Sequence, residues 1–472
     1  MVVIVAIVLV PLVLGAVLIA GRSRVSGRSA ALLGAVAMTA SLLLSMLVWD
    51  DLAAVSGGVD TVWIESLGAR LHLGVTSVSW PFLLMTAFIG VLCCLWLIAD
   101  DTSPTLVGLV LIISASSMGV FVSLDALLLF VFFELALVPM WFVIAWFSPE
   151  AASSARTAAT RFLLFTVAGS ALLLVGIVLA ALDSGTLQIM ELRSTSLLAV
   201  VLICLGFAVK TPLVPLHTWL PDAHSTAPTV GSVLLAAVFL KLGTYGLIVL
   251  GAPSPRFDVV APWLALAGAI GIVWSALACY AQDDLKRLIA YSSIGHMGFV
   301  AMAIATRSDV GLAAAVLGSV AHGAVTGLLF FTAGSMKDRF GSASMTAIGR
   351  GLYGRAPWLA VTFVLAAVAS LGLPGLAGFW GELLTLRSVY EVGDVLTRPV
   401  AWTSLALAVL GIALTTAYFA RAIRLVAQGD PAEAAPTHDL GRREIVVTGS
   451  LVVVVVALGL VPGLVLDLYG VV

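Results

Sequence analysis

Residues 207–224 read FAVKTPLVPLHTWLPDAH, and the reading of this stretch decides the fold. It closes an apolar run, LLAVVLICLGFAV (197–209), that has the character of a membrane helix. A lysine follows, then two prolines three residues apart, a histidine, a third proline, an aspartate and a second histidine. Pro212 and Pro215 cannot donate to a helical ladder, so the helix stops where Lys210 stands. A helix ending there presents the negative end of its dipole, which favours a cation. Backbone groups freed at membrane depth are tolerated only against protein or water. The stretch therefore predicts a membrane helix broken at a lysine, with a hydrated pocket beside it.

The rest of the chain agrees with a membrane setting. Of 472 residues, 61% are hydrophobic and 10% charged, against about 25% charged in soluble domains. This composition implies an all-α polytopic membrane protein. The net charge of −2 gives no reason to expect nucleic acid. No polar stretch is long enough for a soluble nucleotide or flavin domain, so no cofactor is expected in this chain. Residues 2–20 lack a basic flank and read as a first span rather than a cleaved signal. Cys93, Cys94, Cys204 and Cys279 lie in apolar runs without metal-ligand spacing, so no metal or iron–sulfur site is expected here.

A helix needs roughly 20 apolar residues to cross the bilayer. About fourteen such spans follow: 2–20, 30–48, 77–98, 104–122, 124–147, 158–182, 196–216, 227–250, 261–280, 288–305, 311–335, 357–386, 402–420 and 444–466. The twelfth is too long for one simple span. With the N-terminus outside, 14 of the 23 lysines and arginines fall in inside loops and 6 in outside loops. That bias places both termini outside. The remaining three cations, Arg161, Lys210 and Lys241, lie within spans.

A charge near the bilayer centre costs at least roughly 2.5–3.5 kcal/mol. Besides Lys210 and Lys241, Glu134 lies deep in the fifth span and Glu382 follows a second helix break. Polar residues join them on neighbouring spans: Thr211, His217, His224, Ser292, Ser293, His296, His322 and Thr326. One buried charge is as well explained by a structural ion pair. Four charges with titratable neighbours point to a proton route. Burial disfavours the charged form of a lysine and a nearby carboxylate restores it, so a Glu–Lys pair that opens and closes can load and release a proton.

The second break lies in FVLAAVASLGLPGLAGFWGELL (363–384), laid out like LICLGFAVKTPLVPLHTWL (202–220). Both run from an apolar helix through a proline-containing break into an aromatic-bearing half helix. They fall in spans seven and twelve. Breaks five spans apart suggest two repeats of five helices, related by inversion because five is odd. The expected organisation is helices one to three over 1–103, a first repeat over 104–250, a second over 251–428, and a polar loop with helix fourteen over 429–472.

Here the sequence resembles a known family. KTPLVPLHTWLPDAHSTAPTVGSVLLAAVFLKLGTYG (210–246) looks like the signature of the antiporter-like, proton-translocating membrane subunits of respiratory complex I, above all subunit M, or subunit 4 of mitochondria. FFELALVPMWFVI, QDDLKRLIAYSSIGHMGFV, HGAVTGLLFFTAGSMKDR, LGLPGLAGFWGE and, upstream, LHLGVTSVSWPFLLMT match as well, so the likeness covers most of residues 65–390. The family fold has fourteen helices, two inverted five-helix repeats and broken helices seven and twelve.

The resemblance implies that Glu134 and Lys210 form a coupled pair, that Lys241 carries the proton along the central axis, and that Glu382 is the terminal relay. It implies supporting roles for His217, His224, His296 and His322, and for Arg161 in tuning Lys210. Glu382 fits the M type, since L- and N-type relatives usually have lysine there. It further implies that FMN, iron–sulfur clusters, NADH and quinone belong to partner subunits. The partners would be L-, N-, K-, J-, A- and H-type membrane subunits and, through them, the peripheral arm, in a bacterial cytoplasmic membrane. The alternatives are the D-type component of a multisubunit Na⁺/H⁺ antiporter, and the same module in a membrane-bound hydrogenase or other dehydrogenase. A scaffold whose buried charges only bind helices together is the reading from a different class.

Overall fold

The computed structural model describes residues 2–48, 58–98, 102–392, 395–430 and 438–471. Residues 99–101 and, in the polar linker before the last helix, 431–437 lie outside the described residues. The chain packs as two units. The first comprises Met1–Pro212 and Thr226–Ala261, the second Leu213–Ser225 and Pro262–Val472.

In the first unit α1 (Val2–Ala20) and α2 (Gly27–Leu47) precede a hairpin of β1 (Val59–Ile64) and β2 (Ala69–Leu73). The hairpin pairs Val59 with Leu73 and Asp60 with His72. The span pattern assigns no strand there, although VDTVWI is rich in the β-branched and aromatic residues that favour one. Then follow α3 (Ser79–Leu97), α4 (Pro104–Val122), α5 (Ala126–Leu135), α6 (Leu137–Trp146), α7 (Ala152–Ser184) and α8 (Leu197–Lys210). The fifth span is interrupted between α5 and α6, close behind Glu134. Pro139 has no N–H for the Leu135 carbonyl four residues back, which accounts for the interruption.

The chain then enters the second unit for α9 (Leu220–Thr226) and returns for α10, Thr229–Gly251. The α10 span contains two π-helical turns, Leu235–Phe239 and Leu247–Gly251. It is 94% buried along its apolar window, which puts it at the centre of its unit. Gly243 allows α8 to press against it: a Cβ there would lie 2.4 Å from Thr211 Oγ1 and 2.7 Å from the Thr211 nitrogen.

The boundary between units falls within α11 (Phe257–Tyr280). In the second unit α12 (Leu285–Ala305) and α13 (Asp309–Phe340) form the buried centre. Asp284 caps α12 by accepting from the Arg287 nitrogen at 2.8 Å, and Ser308 caps α13 by accepting from the Gly311 nitrogen at 3.0 Å. Two single turns, α14 (Met345–Ile348) and α15 (Leu352–Arg355), lead to α16 (Pro357–Ser370) and α17 (Ala377–Glu391). The overlong twelfth span is thus two helices parted by Leu371–Leu376. Last come α18 (Arg398–Val426), α19 (Arg442–Leu460) and the single turn α20 (Gly463–Leu466).

Among the described residues, 12 helices are long and apolar enough to cross a membrane. The two shorter apolar helices, Leu197–Lys210 and Pro357–Ser370, are those that end at the two breaks. A carboxylate and an arginine fasten the last long helix. Arg339 donates from Nη1 to Glu444 Oε1 at 2.8 Å and from Nη2 to Oε2 at 2.6 Å. Ser335 Oγ donates to Glu444 Oε1 at 2.5 Å. The sequence places Arg339 only among the loop cations.

Candidate proton-transfer sites

In the first unit Lys210 is the last residue of α8 and is 1% exposed. Its Nζ lies 4.2 Å from the centre of the Phe133 ring and 3.7 Å from that of Phe239, with no hydrogen-bond partner among the described protein groups. Two ring faces can attract an ammonium by cation–π interaction, by about 2 kcal/mol when desolvated. That is less than the several kcal/mol lost on taking the charge from water. To hold a proton there the lysine needs a counter-charge, and Glu134, next to Phe133, is the carboxylate that acts on it. Glu134 is half-buried at the end of α5. Its Oε1 accepts from Ser170 Oγ of α7 at 2.5 Å.

Lys241, fully buried on α10, donates from Nζ to the Ala236 carbonyl at 2.6 Å. That carbonyl belongs to the first π turn. A π turn displaces the regular ladder and is frequent at functional sites. Arg161 lies on an exposed face of α7. Thr211 is spent on its own helix, donating to the Phe207 carbonyl at 2.9 Å.

In the second unit the structure gathers His296, His322, Thr326 and Glu382 around one cavity, with Ser370. The cavity leaves about 20 Å³ for the centres of water-sized molecules, more than the roughly 10–15 Å³ that one water requires. His296 Nδ1 lies 3.5 Å from Glu382 Oε1, and its Nε2 is 2.8 Å from Ser370 Oγ. The His296 and His322 rings are 5.5 Å apart, centre to centre. Two features build this arrangement. Gly318 of α13 and Gly381 of α17 let these helices meet backbone to backbone, a Cβ at Gly381 lying 2.7 Å from the Gly318 Cα. Gly372, in the break at φ +69°, leaves room for the Glu382 carboxylate.

The other expected residues stand apart from this cavity's lining. His217 packs against Trp274 at 4.5 Å, and His224 stacks on Phe330 at 4.7 Å with the planes 5° apart. Ser292 and Ser293 both turn back to the Ile289 carbonyl. Ser170 and Ser370 are not marked by the sequence. A serine inside an apolar span looks the same whether it bonds its own helix or a titratable group elsewhere.

Residues 123–411 match the family model described as NADH:quinone oxidoreductase/Mrp antiporter, TM. NADH-quinone oxidoreductase subunit M of Rhodobacter capsulatus is 34% identical, over 96% of this chain and 92% of that protein. Among solved structures, a chain of respiratory complex I from Thermus thermophilus with bound NADH superposes with a TM-score of 0.88. It is 28% identical, over 99% of this chain and 98% of that one. A chain of the Mrp complex from Dietzia sp. shares the fold, with a TM-score of 0.87 at 20% identity over 99% and 96% of the two chains. With a family model matched over more than half of its length and a relative 34% identical over nearly all of it, this multi-pass integral membrane chain belongs to the NADH:quinone oxidoreductase/Mrp antiporter transmembrane family, with the subunit M proteins as its relatives.

Proposed function

We propose that the chain is the proton-translocating, M-type membrane subunit of a NADH:quinone oxidoreductase. The observation that carries this reading is Lys210, buried at a helix break between two aromatic rings with Glu134 as its charge partner. In the proposed cycle a change in the Glu134–Lys210 interaction alters the lysine's hold on its proton. The proton passes to Lys241, and Glu382 with His296 and His322 forms the terminal relay. His217, His224 and Arg161 have supporting roles. NADH oxidation and quinone reduction take place in partner subunits, which hold the FMN and iron–sulfur clusters and drive this chain conformationally and electrostatically.

Further parts of the proposal are two inverted five-helix repeats, both termini outside, and a bacterial cytoplasmic membrane. The neighbours would be L-, N-, K-, J-, A- and H-type membrane subunits. Support comes from the relatives' names, the two broken helices and the excess of inside cations.

The test is purification of the native complex in mild detergent, identification of its subunits by mass spectrometry, and Glu134→Gln in that complex. Flavin- and iron–sulfur-bearing partners, with an assembled variant that no longer pumps protons, are expected. Small membrane subunits alone, without redox centres, would move the assignment to the antiporter. A Glu134→Gln chain that fails only in assembly would make the buried charges structural.

A further inference from the structure

The hydrogen-bond partner of Glu134 on α7 is a serine hydroxyl, and its surroundings give it an unusual freedom. Ser170 is 3% exposed. Its Oγ lies 2.5 Å from Glu134 Oε1 and 2.8 Å from the Thr166 carbonyl oxygen. A hydroxyl has one hydrogen to give and lone pairs with which to accept. Both neighbours are acceptors when Glu134 is ionised, so the single hydrogen serves one of them at a time. The charged carboxylate is the stronger acceptor and takes it.

When Glu134 gains a proton, the roles reverse. The carboxyl O–H donates to Ser170 Oγ, and the serine hydrogen turns to the Thr166 carbonyl, the ordinary i−4 acceptor of a helical serine. The oxygen need not move; only its hydrogen rotates. Glu134 then keeps a hydrogen bond in both protonation states, and the serine stays paired in either. An ammonium or guanidinium at this place could only donate, and would leave the O–H of the protonated carboxyl without an acceptor. A backbone carbonyl would serve the protonated form alone.

The same chemistry recurs in the second unit. Ser370, 2% exposed at the end of α16, sits 2.8 Å from His296 Nε2. It can donate to that nitrogen or accept from it, as the proton on the ring requires.

We propose that Ser170 is a positioning residue for proton transfer at Glu134: a rotating hydroxyl that holds the carboxyl in place whether or not it is protonated, with Ser370 doing the same for His296. The proposal deepens the proton-pump reading and rests on it for its functional consequence. The Ser170–Glu134 contact stands apart from that reading.

The experiment uses the native complex in proteoliposomes, with Ser170→Ala and Ser170→Thr. Proton pumping, quinone turnover and the infrared C=O stretch of the protonated Glu134 carboxyl are measured. Glu134→Gln identifies the band by abolishing it. Ser170→Ala is expected to assemble, to lower maximal turnover roughly tenfold with the quinone KM unchanged, and to shift the band. Ser170→Thr, which keeps the hydroxyl, is expected to restore both. Should the alanine variant not assemble, Ser170→Cys, nearly isosteric and a weak donor, is read in its place with the same expectation of reduced turnover and a shifted band.

Native turnover with an unshifted band in Ser170→Ala overturns the proposal. So does an assembled Ser170→Thr as impaired as the alanine variant, since size and not the hydroxyl would then matter. If Glu134→Gln itself pumps normally, the pump reading fails, and a band shift in Ser170→Ala still establishes the contact on its own.

Discussion

Gly372→Ala separates the placement of Glu382 from the stability of the fold. At φ +69° this residue is left-handed, a conformation that costs an L-residue about 1–2 kcal/mol. The added Cβ would lie 2.6 Å from Glu382 Oε2 and 3.2 Å from its Cδ, and no backbone atom is among the near neighbours. Ordinary contact begins at 3.4 Å, so the carboxylate must retreat by about 0.8 Å. The carboxylate is the far end of a flexible side chain, so the fold yields cheaply. The proposed relay does not, because Oε1 already stands 3.5 Å from His296 Nδ1. A misplacement near 1 Å can cost up to about a hundredfold in rate. The expected result is an assembled complex whose proton pumping, followed by pH-dye quenching in proteoliposomes, falls between about ten- and a hundredfold. Gly375→Ala is the control. At φ +90° it carries backbone strain at least as large, but its nearest neighbour is Leu460 Cδ2 at 3.7 Å. It should lose at least as much stability and keep pumping. Native pumping in Gly372→Ala, or equal loss in both variants, would refute the cradle argument.

Gly243→Ala should force α8 and α10 apart, since the new Cβ meets backbone atoms of Thr211 and Phe207 at 2.7 and 2.8 Å. A loss of about 1–3 kcal/mol in detergent unfolding is expected, and unchanged stability would contradict the close approach. Arg339→Gln would leave Glu444 buried without its bidentate partner, the two side chains being 5% and 8% exposed. Breaking such a pair costs about 3–5 kcal/mol, so a lowered Tm is expected and an unaltered one would show the pair to be dispensable. Asp283 provides a pH test outside the membrane spans. Burial acts to raise its carboxyl, but hydrogen bonds from Ser344 and Thr346 outweigh that and hold it below its ordinary 3.8. Because the folded value is the lower one, the stabilisation is present above pH 3.8 and is lost as pH falls through the folded value. The protection factors of the Thr346 and Ala347 amides, which remove the intrinsic slowing of exchange by acid, should therefore fall on acidification below about pH 4 in the native chain. They should change less in Asp283→Asn; equal acid response in both would count against the anchor.

Local chemistry made much of this protein readable in one dimension. Apolar runs set the spans because bilayer thickness fixes their length. Prolines and glycines at 212–215 and 372–375 marked the two breaks because their effects act within one helical turn. Glu134, Lys210, Lys241 and Glu382 stood out because charges inside apolar spans need a reason. Tertiary structure decided which groups meet. Ser170 reaches Glu134 across 36 residues, Ser370 reaches His296 across 74, and Glu444 reaches Ser335 across 109. No periodicity encodes such pairings. The passage of Leu213–Ser225 into the second unit follows from which surfaces pack, and a linear string does not carry that information. The sequence determined where charge and broken backbone lie along the chain. Only the packing of helices determined their partners, because a contact is made by surfaces that the chain brings together from distant positions.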